Sequence, residues 1–191
     1  MSHILISGLP RSGTTFLMSV LHKAGLDIGF RAEYVDFVNR RNMGGLEFLR
    51  DVQYYKNISL DPLTIVKSLA LPEVIKHPNE WTNNKLNILK KVKDISRIIL
   101  CVRDLGEVIK SQEARRPGNL VENSMKCNQI KNLRGIKEHS KINNIPFTIL
   151  KFPYFLEEGY FLNKMDWFSD KKVLKDSFFH YRDFNKVHYK S

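Results

Sequence analysis

The sequence predicts an α/β fold, three layers deep, with helices flanking a central and mostly parallel sheet. Three observations carry that prediction. Short apolar runs at residues 3–7, 95–102 and 146–152 have the length and content of buried parallel strands. Stretches with apolar residues at helical spacing alternate with them. Between the first strand and the first helix lies Gly8-Leu9-Pro10-Arg11-Ser12-Gly13-Thr14-Thr15, a glycine-containing turn of the kind that wraps an anion.

Each element has its own signal. Residues 3–7 (HILIS) form an apolar run ended by Gly8 and Pro10. Phe16, Leu17, Val20 and Leu21 then recur at helical spacing, and Gly25 supplies a stop, so a helix is expected over 13–24. The 30–60 region gives a turn at Met43-Gly44-Gly45 with aromatic flanks that read equally as helix or irregular chain. Residues 63–68 (LTIVKS) are a second candidate strand, entered after Asp61-Pro62, and 86–92 a candidate helix. Residues 95–102 (ISRIILCV) give the strongest strand signal. A helix over 104–114, capped by Asp104, follows and ends before Arg115-Arg116-Pro117-Gly118. A long polar helix is expected within 121–142, then a strand at 146–152 and an aromatic, basic tail with short helices from Tyr154. No repeat or linker interrupts the 191 residues, which predicts one domain over 1–191.

Charge narrows the partners. The net charge of +11 favours polyanions or a highly phosphorylated ligand, unless it reflects only a general abundance of solvated lysine. Cys101 and Cys127 make neither a disulfide framework nor a metal-ligand spacing, and no His/Asp/Glu cluster has ligand spacing, so no metal is expected. No run approaches transmembrane length and no charged-then-apolar leader opens the chain, so the expectation is a cytoplasmic protein without a membrane anchor.

The glycine turn departs from the nucleotide P-loop at one position. G-x-x-x-x-G-K-[ST] uses its lysine to follow the β and γ phosphates and its last hydroxyl to hold Mg²⁺. Thr14 stands where that lysine would be, and the nearest cation is Arg11. Such a loop suits a donor with less charge at its transferring end.

Pro10-Arg11-Ser12-Gly13-Thr14-Thr15 resembles the 5′-phosphosulfate loop of the sulfotransferases that use 3′-phosphoadenosine 5′-phosphosulfate (PAPS), a P-loop-like family. Its members carry Lys or Arg before Ser-Gly-Thr-Thr after the first strand. The resemblance implies a second motif: an arginine ending a strand, with a serine eight residues on, holding the 3′-phosphate. Arg103-Asp104-Leu105 and Ser111 match that spacing, with Leu105 where the family has Pro. Arg103 at the carboxyl end of a central strand is also where open α/β sheets bind ligands. The alternatives are an ion pair of Arg103 with Asp104 or Glu107, and a solvated Ser111. A weaker echo, residues 148–152, puts Phe152 near an adenine. The resemblance covers residues 4–25 and 95–112.

What it implies is transfer of a sulfuryl group from PAPS to a hydroxyl or amine, with a carbohydrate as one acceptor class. Arg11, Ser12, Gly13, Thr14, Thr15, Arg103 and Ser111 would hold the cofactor, and Arg11 would also act on the transferring end. Of the family's two base patterns, a histidine after a strand lysine is missing here, because Ser68 and Leu69 follow Lys67. The other, a glutamate in a glycine-containing turn after the first helix, selects Glu33, with Asp36 in reserve and a surface pair with Arg31 as the alternative. Lys67 would contact the bridging oxygen or simply end a strand. The acceptor pocket is expected to be open or completed by a second copy of the chain. Two other functions compete: a P-loop kinase or phosphotransferase, and a nucleic-acid binder. The second lacks a recognition signature, because the aromatics do not alternate with basic residues in an RRM-like or cold-shock pattern.

Overall fold

The computed structural model describes residues 3–8, 11–40, 74–76, 94–113 and 123–188. Strands β1 (His3–Gly8), β2 (Val74–Lys76), β3 (Ile95–Val102) and β4 (Phe147–Lys151) form a small parallel sheet in the order β2-β1-β3-β4. Helices α1 (Thr14–Lys23), α2 (Ala32–Arg40), α3 (Leu105–Glu113), α4 (Asn123–Ile142), α5 (Glu158–Lys164) and α6 (Lys171–His188) complete the described elements, with a 3-10 turn at Tyr154–Leu156. Among these residues no helix is long and apolar enough to cross a membrane.

Strand order fixes where a ligand can lie. The chain leaves β1 for β2 on one side, and leaves β3 for β4 on the other. Parallel crossovers are right-handed, so these two connections run over opposite faces of the sheet. The carboxyl ends of β1 and β3 therefore mark the switch point at which open α/β sheets take ligands. Gly8 is paired in register with Cys101, two residues before Arg103.

The two faces are packed differently. Ile4, Ile6, Ile99, Cys101 and Leu150 belong to one core cluster with α1, α2, α5 and α6. Its centre is aromatic: Phe161 stacks on Phe178 at 4.8 Å, and Phe16 lies 5.7 Å from Phe155 and 5.9 Å from Phe178. Phe155, Phe161 and Phe178 are fully buried, each contributing about 2 kcal/mol of transfer free energy. Leu5, Ile98 and Leu100 alternate onto the opposite face, where Val108 and Ile136 supply buried side chains on α3 and α4.

The start of α3 is set by Asp104, whose Oδ1 accepts the Glu107 N–H at 3.0 Å as an N-cap should. The tail differs from the expectation of short helices. α6 runs 18 residues, and Leu174, Phe178 and Tyr181 turn one face into the core, so packing outweighs the many intervening charges. The strand beside β1 is Val74–Lys76, which the sequence reading did not mark. The candidate strand at 63–68, the turn at 43–45, the helix at 86–92 and the loop at 115–118 lie outside the described residues.

Candidate functional site

The loop after β1 owes its shape to two glycines. A Cβ on Gly8 would come within 2.5 Å of both the Cys101 carbonyl and Ser12 Oγ. Gly13 has φ +90, and a Cβ there would enter the ring of Phe155. Gly13 is also the N-cap of α1 and carries no side chain to cap it. The N-cap residue itself thus offers no hydroxyl or carboxylate to the start of α1, a helix end that suits an anion. Thr14, at the position of the P-loop lysine, is buried, and Thr15 is half-buried beside it. Ser12 is fully buried.

Arg11 is the unusual residue of the loop. Its backbone is left-handed, φ 66, which a side-chain-bearing residue adopts at a cost of about 1 kcal/mol. Two contacts accompany that conformation. Arg103 donates from Nη1 to the Arg11 carbonyl at 3.2 Å, and Arg11 donates from Nε to Ser111 Oγ at 3.2 Å. Three residues picked from two separate motifs therefore meet at the mouth of β1 and β3.

Arg103 is held on several sides. Its guanidinium lies 4.4 Å from the centre of the Phe152 ring, a contact contributing about 1 kcal/mol. Its Nη2 stands 3.5 Å from Glu107, so the ion pair considered from sequence is formed. Glu107 is 52% exposed and also reaches Lys110 at 3.5 Å, which makes that pair a weak and shared one. Phe152 serves here as a platform for Arg103.

Glu33 is not brought to the loop. It is exposed in the first turn of α2. Asn39 donates from Nδ2 to Ser19 Oγ at 2.8 Å, whereas Asp36 shares the surroundings of His180 with Lys23. α2 consequently runs back along α1 towards the loop, and its first turn is the part farthest from it. Asp36 accepts a hydrogen bond from Tyr181 Oη at 3.0 Å. Burial, then that hydrogen bond and the Asp36 charge, push the Tyr181 phenol above its usual range. Burial and then Lys23 lower His180 below 6.5, with Asp36 opposing. Lys67 lies outside the described residues.

The sequence reading missed the carbonyl of Arg11 as a partner for Arg103 and Phe152 as its platform. No residue-type signal announces the first; the strand-end position of Phe152 beside Arg103 announces the second. No protein-family model matches the chain, and no curated protein matches its sequence.

Proposed function

We propose that the protein is a PAPS-dependent sulfotransferase built on a P-loop-like domain, acting on a hydroxyl or amine. One observation carries the reading: Arg11 and Ser111, 100 positions apart, are hydrogen-bonded across the switch point of the sheet. That contact joins a glycine-started helix to a strand-end arginine and a hydroxyl, two anion subsites suited to the two ends of one adenosine bisphosphate.

PAPS would supply an activated sulfuryl group: its bond to the bridging phosphate oxygen would break with the electron pair kept on that oxygen, a bond to the acceptor atom would form, and the acceptor's proton would pass to solvent. The residues' part is electrostatic. The amides at the start of α1 and the hydroxyls of Thr14 and Thr15 would face the 5′-phosphosulfate, where negative charge grows in the transition state. Arg103 and Ser111 would face the 3′-phosphate. Neither Glu33 nor Asp36 serves as base in this reading, the one by position and the other by its bond to Tyr181. Lys67 keeps its proposed contact with the bridging oxygen. A cytoplasmic address, a carbohydrate acceptor and an acceptor pocket shared with a second copy belong to the same proposal.

Thermal denaturation tests it. Adenosine 3′,5′-bisphosphate at a hundred times its Kd is expected to raise Tm by about 5–10 °C, most of it lost in Arg103→Ala. ATP with Mg²⁺ should do much less, because Thr14 offers no cation at the lysine position. A larger shift with ATP and Mg²⁺ would replace this reading with a phosphotransferase.

A further inference from the structure

We infer that Arg11 reads the 3′-phosphate, acting as the residue that discriminates a 3′-phosphorylated nucleotide from a plain 5′-nucleotide, with Arg103 positioning it. This rests on the reading above and changes two assignments within it: the sequence pattern puts Arg11 at the transferring end and Arg103 on the 3′-phosphate itself.

The geometry carries the reassignment. The Arg11 side chain reaches across to α3: its Nε donates to Ser111 Oγ, two turns into that helix. Arg11 is half-buried, and among the described residues no carboxylate pairs with it. Its Nη groups are thus left to grip an anion arriving beside Ser111, and the planar fork suits a phosphate with two hydrogen bonds. Arg103 is more committed: Nη1 is on the Arg11 carbonyl, Nη2 faces Glu107, and the guanidinium plane lies against Phe152.

The left-handed φ of Arg11 completes the device. Arg103 grips the carbonyl of that same residue, fixing the peptide unit whose orientation sends the Arg11 side chain towards α3. A free loop arginine would sample many directions at an entropic cost on binding, whereas this one is already turned towards the serine.

Calorimetric titration with adenosine 3′,5′-bisphosphate and with adenosine 5′-monophosphate separates the two ends of the ligand. Arg11→Gly removes the side chain and suits φ 66. It is expected to weaken the bisphosphate roughly ten- to hundredfold while leaving the monophosphate within about twofold. Ser111→Ala, which leaves the loop intact, should weaken the bisphosphate selectively and by less. If Arg11→Gly weakens both ligands in parallel, the arginine serves the 5′ end and the inference fails while the sulfotransferase reading stands. If Arg11→Gly changes neither, the inference fails as well. If the wild-type protein binds the two ligands equally or binds neither, the functional reading and the inference fall together.

Discussion

Two polar clusters sit at opposite ends of α1, and they are built on opposite plans. At its start, Arg11, Arg103 and Ser111 bring two guanidinium groups to one mouth, and among the described residues the carboxylate paired with them is the half-exposed Glu107. At its far end, Asp36, Tyr181, His180 and Lys23 combine an acid, a phenol, an imidazole and an ammonium from three helices. The second group closes on itself: the Asp36 carboxylate takes the phenol proton donor, and the charges of Lys23 and Asp36 oppose one another at His180. The first keeps spare donors and surplus positive charge. A cluster that serves packing fills its own hydrogen-bonding capacity, whereas one that serves a ligand leaves capacity over.

The contrast breaks hardest at Gly13. Gly13→Ala must place a methyl in the Phe155 ring at φ +90, and a loss of about 2–5 kcal/mol is expected in urea titration. A cost below about 1 kcal/mol would mean that the ligand end is loosely built and only the far end is fixed. Tyr181→Phe probes the closed cluster and should cost about 1 kcal/mol in stability without altering nucleotide affinity. A change in affinity would mean that the two ends of α1 are coupled.

The smallest effect belongs to His180. Its folded-state pKa is lowered, so near pH 6.5 the unfolded chain binds more protons and stability rises with pH. Tm should fall as pH drops from about 7.5 to about 5.5, and His180→Gln should make that slope shallower. An unchanged slope would remove His180 from the closed cluster.

Those clusters also mark what was readable in the chain. The strand at 95–102, the Asp104 cap and the spacing from Arg103 to Ser111 are local signals, since alternation, capping and helical register act within a few residues. The loop after β1 is local too. Glu33 was not readable, because its distance from the loop depends on the antiparallel course of α2 along α1, which only tertiary packing decides. β2 has three residues between Pro72 and Pro78, too few for a period to register. In α6, Leu174, Phe178 and Tyr181 do follow helical spacing, and the dense charges around them hid a signal that was there.

One contact has a consequence for how the molecule is made. The ring against Gly13 belongs to Phe155, a residue translated 142 positions later. Until the final quarter of the chain has left the ribosome, the turn written near its beginning lacks the surface it rests on. The seating of that turn thus waits on a long-range closure, the slow kind of folding event.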